Sequence, residues 1–114
     1  MQYMLLIYTP ADGGPSPDEL QAEHARWMQY TQDLQESGVL VAGNALQGTD
    51  TAPAVRVRNA ETLVSDGPFA ETKELLGGYY LIDVPDLDAA LAWAAKMPNI
   101  AYGSVEVRPV MVFD

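Results

Sequence analysis

The hydrophobic periodicity of the chain changes along its length in an order that few folds accommodate. An apolar run at residues 3–8 predicts a buried strand, and a helical pattern follows it from residue 17. Further strands are predicted at 39–45, at 78–84 and at 105–112, with a second helix between the last two. The resulting order is βαββαβ, which predicts an α+β, ferredoxin-like sheet covered by two helices.

The first helix carries recognisable signals at both ends. Ser16 can cap its start, Pro17 occupies the first helical position, and Glu19 completes a capping box. Gly38 supplies the left-handed residue that commonly follows a helix. We therefore expect the helix to end at Ser37.

The second helix is shorter. We expect it to begin after Asp86, whose side chain can cap it, and to end before Pro98. The apolar residues that we expect to face the sheet are Leu87, Ala90, Leu91 and Ala94.

An insertion separates the two halves of the pattern. Apolar and basic residues alternate at 55–58, a turn is predicted at 59–61, and an apolar pair at 63–64 can return as a second strand. We therefore expect a β-hairpin inserted between the two halves of the ferredoxin-like fold.

The first strand is apolar on both of its faces, although two helices can cover only one face of a four-stranded sheet. One face carries Tyr3, Leu5 and Ile7, and the other carries Met4, Leu6 and Tyr8. Soluble monomers rarely expose an apolar patch of that size. We predict that a second copy of the chain covers it, giving a homodimer packed through the open sheet face around a central cavity.

The composition limits the class of protein and its partners. A chain of 114 residues is expected to form a single domain over 1–114. Sixteen acidic and six basic residues give a net charge of −10, so we expect neither nucleic acid nor an anionic membrane as a partner. The apolar start at residues 1–8 has no basic flank, and no apolar run reaches the ~18 residues that span a bilayer. We expect a cytoplasmic protein.

The same composition argues against metal and cofactor sites. The chain has one histidine and no cysteine, which excludes disulfides and thiolate ligands. Residues 43–49 have the outline of a phosphate loop but lack its lysine, and no Gly-x-Gly-x-x-Gly motif occurs. A carboxylate-rich site is the one kind of metal site that this composition leaves open, and no motif supports it. We expect no organic cofactor and no metal.

The single histidine lies in the first helix. At 100° per residue, His24 falls within about 80° of arc with the apolar side of that helix. The other members of this stripe are Leu20, Trp27, Thr31 and Leu34. We therefore expect His24 to face the sheet, either as a core histidine bonded to a backbone carbonyl or as a general acid, base or ligand contact.

A distinctive string follows the inserted hairpin. Residues 66–74 read DGPFAETKE, and residues 77–80 read GGYY. Aspartate before glycine is common in turns, so Asp66 is either a turn residue or an acidic partner for His24. Together with the start MQYMLLIY, the ending GSVEVRPVM and a histidine followed by a tryptophan in the first helix, this string resembles the YCII-related (DGPF-domain) family over essentially the whole chain.

The resemblance implies a fold and a site. Members of that family are similar to the dimeric α+β barrel proteins, which include small isomerases and monooxygenases that act on ring compounds. His24 and Asp66 match the histidine and aspartate regarded as the family's active-site pair. The resemblance supplies no established activity, and the occurrence of some relatives beside sigma-type transcription factors implies a regulatory setting.

A histidine–aspartate pair has a definite chemistry. An aspartate that accepts the Nδ1–H of His24 would fix the tautomer and leave Nε2 to exchange a proton with a substrate. Ser65 adjoins Asp66, but no Gly-x-Ser-x-Gly elbow occurs to make it a hydrolytic nucleophile. The pair fits proton transfer beside a carbonyl, as in isomerisation or lactone chemistry.

Five further residues are candidates for substrate binding. Lys73 and Glu74 are either a solvated pair or groups at the cavity mouth, where Lys73 could hold a carboxylate. Tyr8 and Tyr80 either line the cavity or belong to the core. Arg108 either binds an anion or pairs with one of the many carboxylates.

Two functions follow from these residues. The first is a cofactor-free enzyme that uses the His24–Asp66 pair for proton transfer on a small organic molecule, whose identity the sequence does not reveal. The alternative is a non-catalytic ligand-binding or regulatory module, connected with sigma-factor control of transcription.

Overall fold

The structure is a computed structural model that describes residues 1–12, 14–65 and 73–113. Its elements in chain order are β1 (Gln2–Pro10), α1 (Pro17–Glu36), β2 (Leu40–Ala45), a 3₁₀ turn (Thr49–Thr51), β3 (Ala54–Arg58), β4 (Glu61–Ser65), β5 (Glu74–Asp83), α2 (Leu87–Ala94) and β6 (Ser104–Pro109). This is the predicted βαββαβ order with an inserted hairpin. No helix within the described residues has the length and hydrophobicity to cross a membrane.

The main sheet has the strand order β2-β5-β1-β6, and every neighbouring pair is antiparallel. Both helices pack on one face, where alternate residues of β1 and β5 form the core with the inner sides of α1 and α2. The buried residues of this core are Tyr3, Leu5, Ile7, Tyr30, Leu34, Ile82, Val84, Ala90, Ala94 and Met97. The strand order and the one-sided helix layer confirm the ferredoxin-like prediction.

Helix α1 begins and ends where its capping residues predicted. The Ser16 hydroxyl accepts a hydrogen bond from the Glu19 amide at 3.2 Å, and it donates to the Glu19 carboxylate at 3.1 Å. Ser37 is the last capping residue, and Gly38 adopts a φ of +74°, a conformation that glycine reaches at little cost.

The inner side of α1 differs from the predicted stripe. Glu23 is buried at that position, whereas His24 is exposed and Leu20 is 51% exposed. The prediction that His24 faces the sheet is therefore wrong for this chain. The buried position of Glu23 is stabilised by the Tyr102 hydroxyl, a partner 79 residues away in sequence that a helical hydrophobic pattern does not reveal.

Helix α2 also buries only part of its predicted stripe. Ala90 and Ala94 are buried, but Leu87 and Leu91 are 46% and 47% exposed. The helix ends at Ala94, and Met97 fills the core just beyond its end, at 1% exposure. The predicted cap is confirmed, since the Asp86 carboxylate accepts from the Ala89 amide at 2.9 Å.

Strand β5 starts four residues earlier than the predicted 78–84. Its register with β1 shifts between Ile7 and Tyr8, which lets the ladder continue past the glycine pair to Glu74. A Cβ at Gly78 would lie 2.9 Å from the Asn44 carbonyl oxygen, so glycine permits the close approach of β2.

Strands β3 and β4 form a separate two-stranded sheet, as predicted for the inserted hairpin. Asn59 and Ala60 connect them with φ values of +52° and +63°, the pattern of a type I′ hairpin turn. Val55 lies opposite Val64 in this ribbon, and both side chains are exposed.

Candidate functional site

The sheet face that the helices leave uncovered carries side chains from three adjacent strands. They are half-buried to exposed, unlike those of the covered face. From one end of the sheet to the other, they are Met4, Leu6 and Tyr8 of β1, Leu81, Tyr79 and Leu76 of β5, and Arg108, Glu106 and Ser104 of β6. The face therefore combines an apolar floor with a polar border, as small-molecule sites commonly do.

Polar groups gather at one end of this open face. Ser104 lies opposite Tyr8, and Glu74 lies opposite Pro10, two residues further along β1. The Ser104 hydroxyl donates to the Glu74 carboxylate at 2.8 Å. Two of the predicted binding residues, Tyr8 and Glu74, are therefore at the same end of the same face, and Ser104 joins them.

Arg108 lies on the same face, toward the opposite end. It is four residues from Ser104 along β6, or about 13 Å at the rise of a strand. Its guanidinium is 2.7 Å from the Glu106 carboxylate, with both side chains well exposed at 67% and 44%. The carboxylate pairing considered for Arg108 is therefore present, and so exposed a pair is weak enough to exchange its carboxylate for an anionic ligand.

Tyr80 lies on the covered face, away from this border. Its hydroxyl is 2.6 Å from the Thr31 hydroxyl of α1, and its ring stacks on Trp27 with centroids 6.5 Å apart. Tyr80 thus belongs to the core side of the sheet. Lys73 is exposed immediately before β5, where its carbonyl accepts from the Ala11 amide at 2.8 Å.

His24 is exposed on α1, on the helix side of the sheet. The neighbouring Glu23 contacts Tyr102, which precedes Ser104 by two residues. This turn of α1 is therefore at the same end of the sheet as the Tyr8–Ser104–Glu74 group. Asp66 lies outside the described residues, so its pairing with His24 stays a prediction.

A buried polar group beneath this end was not predicted from the sequence. The Tyr102 hydroxyl lies 2.7 Å from both carboxylate oxygens of Glu23, which is 2% exposed. Burial, followed by the hydrogen bond and the negative charge of Glu23, raises the pKa of Tyr102 above its ordinary value. The spacing of Glu23 from Trp27, one helical turn, is the signal that could have identified its inward position.

Asn99 completes this buried group and supports the border of the open face from below. It is fully buried, and its Nδ2 donates to the Tyr8 carbonyl at 3.2 Å and approaches the Ser104 carbonyl at 3.5 Å. Because one side-chain amide reaches both strands, the two residues of the border are held at a defined separation.

A groove of about 680 Å³ lies elsewhere, between α1 and the residues at and just beyond the end of α2. Lys96 lies over the Trp93 ring within it, 5.0 Å from the centroid. Its lining residues are Arg26, Gln29, Tyr30, Asp33, Glu36, Ser37, Trp93, Lys96, Met97 and Pro98. The groove is on the opposite side of the sheet from the Tyr8–Ser104–Glu74 group and shares no residue with it.

The described residues contain no group of three or more histidine or acidic side chains placed to hold a metal ion. The open face thus offers hydroxyl groups, carboxylates and a guanidinium as its chemical groups. These groups can bind and orient a small polar molecule by hydrogen bonds and charge.

Known proteins resemble the chain in sequence and in fold. An uncharacterised protein of Rhizobium meliloti (strain 1021) is 46% identical over 80 residues, which cover 68% of this chain and 64% of the relative. A 5-chloro-2-hydroxyhydroquinone dehydrochlorinase from Burkholderia phenoliruptrix, solved in complex with 2,5-dihydroxybenzoquinone, superimposes with a TM-score of 0.56. It is 13% identical, with 97% of this chain and 94% of that chain covered. That similarity shows the fold, which is the one adopted by dimeric α+β barrel proteins.

The family follows from the sequence as a whole. The model of the YCII-related domain matches residues 1–114, the same span over which the DGPF string, the apolar start and the GSVEVRPVM ending were noted. The fold, with its two helices on one face of an antiparallel sheet, agrees with that match. The chain belongs to the YCII-related domain family.

Proposed function

We propose that the protein is a small-molecule enzyme that binds a polar ring compound over the open sheet face and transfers a proton on it, without an organic cofactor. The observation that carries the proposal is the polar border of Tyr8, Ser104 and Glu74 beside an apolar floor. The structural neighbour supports it by analogy, because that dehydrochlorinase was solved with a dihydroxybenzoquinone bound.

The open face is suited to a flat ligand. Leu6 and Leu81 supply apolar surface, and the ring of Tyr79 lies beside them. The Tyr79 hydroxyl is held by the Asn44 amide at 2.9 Å. A ring compound packed on this floor would bring its oxygen substituents to the hydroxyl and carboxylate groups at the border.

The proton transfer is assigned to His24 and Asp66. In this proposal Asp66 accepts the Nδ1–H of His24 and remains ionised, while Nε2 takes a proton from carbon beside a carbonyl and later returns one. His24 belongs to the turn of α1 at the polar end of the sheet, so in this proposal the ligand reaches His24 by extending past that end of the open face. Lys73, exposed before β5, would hold a substrate carboxylate, and Arg108 would bind an anionic group at the far end.

A second copy of the chain completes the proposal. The apolar floor is open to solvent in the single chain, and the fold is one that other proteins use as dimers. A homodimer packed through the open faces would enclose the ligand and exclude water from it. We propose this assembly for a cytoplasmic, single-domain protein whose net charge of −10 disfavours nucleic acid and anionic membranes as partners.

The alternative is a non-catalytic ligand-binding or regulatory module, in a setting such as sigma-factor control. The exposure of His24 on the helix side favours this alternative, because the groups on the open face can bind a ligand without turning it over. The two functions differ in whether a bound compound exchanges protons with the protein.

The pair is tested through the single histidine, whose ring protons give an unambiguous NMR signal. If Asp66 holds His24, Asp66→Asn changes the pH midpoint of that titration. Glu71→Gln removes the same charge from the same segment and leaves the midpoint unchanged. Equal midpoints in the unmodified chain, Asp66→Asn and Glu71→Gln would show that Asp66 does not pair with His24 and is only a turn residue.

Catalysis is tested with 2,5-dihydroxybenzoquinone as the probe in D₂O. The enzyme hypothesis expects the protein to accelerate exchange of the ring protons for deuterium, and His24→Gln to abolish the acceleration while retaining binding. Binding with no acceleration would favour the module. Absence of binding to this and related hydroxyquinones would overturn the assignment of ring compounds as ligands.

A further inference from the structure

The two faces of the β3–β4 hairpin differ in character. Cross-strand partners share a face, so Val55, Val57 and Val64 lie together on one side. These three side chains are 57%, 57% and 66% exposed. The other side carries Arg56, Arg58, Glu61 and Leu63.

Within residues 1–12, 14–65 and 73–113, this apolar side remains largely exposed, although a hairpin of this size requires a covering. A two-stranded ribbon alone is at best marginally stable in water. Three neighbouring valine side chains that stay exposed to solvent contribute no hydrophobic stabilisation to it. Its turn adds a cost, because Ala60 sits at a φ of +63°. A surface that buries the valines would stabilise the extended hairpin.

We propose that the valine face of the hairpin docks on the second copy of this chain and forms part of the dimer interface. This inference rests on the proposed homodimer, and it names a second contact that the open sheet faces do not include. The protein that covers the valine face is, in this proposal, another copy of the same chain. The area of the interface and the charge of the hairpin support a second copy.

The sheet faces alone give too small an interface. The four strands have 6, 10, 9 and 6 residues. At a spacing of about 4.8 Å and a rise of about 3.3 Å per residue they offer a face of roughly 500 Å², so two such faces bury about 1,000 Å². Stable specific interfaces bury about 1,200–2,000 Å² in total. Each hairpin face adds roughly 160 Å² and covers as much on its partner, which brings a symmetric pair to about 1,600 Å².

Symmetry and charge favour a second copy over an unrelated protein. A two-fold pair uses the same contact twice, so each protomer both extends a hairpin and receives one. The hairpin holds two of the six basic residues and one of the sixteen acidic ones. A chain with a net charge of −10 therefore presents a segment with two arginines and one glutamate, of net charge +1, to an acidic copy of itself, which reduces the repulsion between protomers.

Docking would also link the dimer to the proposed active site. Strand β4 ends at Ser65, which is bonded directly to Asp66. A hairpin held by the partner would therefore fix Ser65, the residue that precedes Asp66 in sequence. In this arrangement each site depends on the partner protomer.

Sedimentation velocity over a dilution series tests the proposal. We expect a dimer for the unmodified chain and at least a tenfold rise in dimer Kd for Val55→Glu and for Val64→Glu. Leu63→Glu adds the same charge on the opposite side of the same hairpin, and we expect a change within threefold. Equal effects of Val64→Glu and Leu63→Glu, or a monomeric unmodified chain, would overturn the proposal.

Two further measurements keep the test decisive. Leu6→Glu disrupts the open sheet face, so a dimer that is lost in Leu6→Glu and retained in Val55→Glu rejects the hairpin contact while the sheet-face dimer stands. Because the chain has no cysteine, single-cysteine variants can carry a nitroxide label. We expect an immobilised label at Val55→Cys and a mobile one at Leu63→Cys, and mobile labels at both would also overturn the contact. The deuterium exchange of the quinone reports on the proposed chemistry separately.

Discussion

The Tyr102 hydroxyl lies 2.7 Å from both carboxylate oxygens of Glu23, and this contact ties α1 to the residues just before β6. Glu23 is 2% exposed, so its carboxylate has little contact with water. Among the contacts described, the Tyr102 hydroxyl is the group that donates a hydrogen bond to it. Ser104, on the polar border of the open face, follows Tyr102 by two residues. The contact thus connects the stability of the helix layer to the geometry of the candidate site.

Tyr102→Phe should destabilise the protein by about 2 kcal/mol. The substitution leaves a buried carboxylate without the hydroxyl that satisfies it, and the loss of a hydrogen bond to such a group typically costs about 1.5–3 kcal/mol. Urea denaturation measures the change. The matched control is Tyr79→Phe, which removes an exposed hydroxyl that accepts from Asn44 and should cost less than about 1 kcal/mol. Equal losses in the two variants would contradict the importance of the buried contact.

Stability should decline at alkaline pH through two tyrosines. Burial, followed by the charge of Tyr80, raises the pKa of Tyr30, and burial followed by Glu23 raises the pKa of Tyr102. Because the folded chain holds these protons more tightly than the unfolded chain, their contribution is complete below the ordinary value of about 10 and falls as the pH rises above it. The free energy of unfolding, measured between about pH 9 and 11, should decline less steeply in Tyr102→Phe. An unchanged slope would show that Tyr102 does not contribute.

The helices and strands are specified by signals that lie close together in the chain, so most of them can be predicted from the sequence. The capping residue Ser16 and the glycine at position 38 define α1, and the alternation at 55–58 defines the first strand of the hairpin. Each of these signals acts over a few residues through backbone hydrogen bonds and φ preferences. Strand β5 was predicted too short because a pair of glycines commonly marks the end of a strand. In the structure the glycine pair lies inside β5, where Gly78 pairs with both β1 and β2.

The side chains of the candidate site depend on contacts distant in sequence. Glu23 faces inward because Tyr102 satisfies it, and the hydrophobic pattern alone favoured His24 at that position. Tyr79 and Tyr80 are adjacent and equally apolar, so periodicity places them on opposite faces without indicating which face the helices cover. Thr31 on α1 shows that the covered face is that of Tyr80.

Gly43→Ala should destabilise the sheet by about 1–3 kcal/mol, the usual cost of overpacking a core. A Cβ at this position would lie 2.7 Å from Cδ1 of Tyr80, so the ring would have to leave its stack on Trp27. Tryptophan fluorescence and the midpoint of thermal unfolding should both change. Gly77→Ala is the matched control, since its Cβ would meet only the Ile7 carbonyl oxygen at 4.0 Å. A thermal midpoint in Gly43→Ala equal to that of the control would show that the ring moves without cost.

Ala60→Gly should stabilise the hairpin by about 1 kcal/mol. Alanine at a φ of +63° crowds its Cβ against the following carbonyl, which costs an L-residue about 1–2 kcal/mol and glycine almost nothing. Hydrogen exchange of the amides that pair β3 with β4 measures the effect, which should be slower exchange in the variant. Ala54→Gly, in the strand itself, should instead speed exchange, because glycine weakens a strand interior. If the hairpin docks on a second copy, the slower exchange of Ala60→Gly should be accompanied by a tighter dimer, whereas a hairpin that stays in solvent would gain protection with no change in dimer Kd.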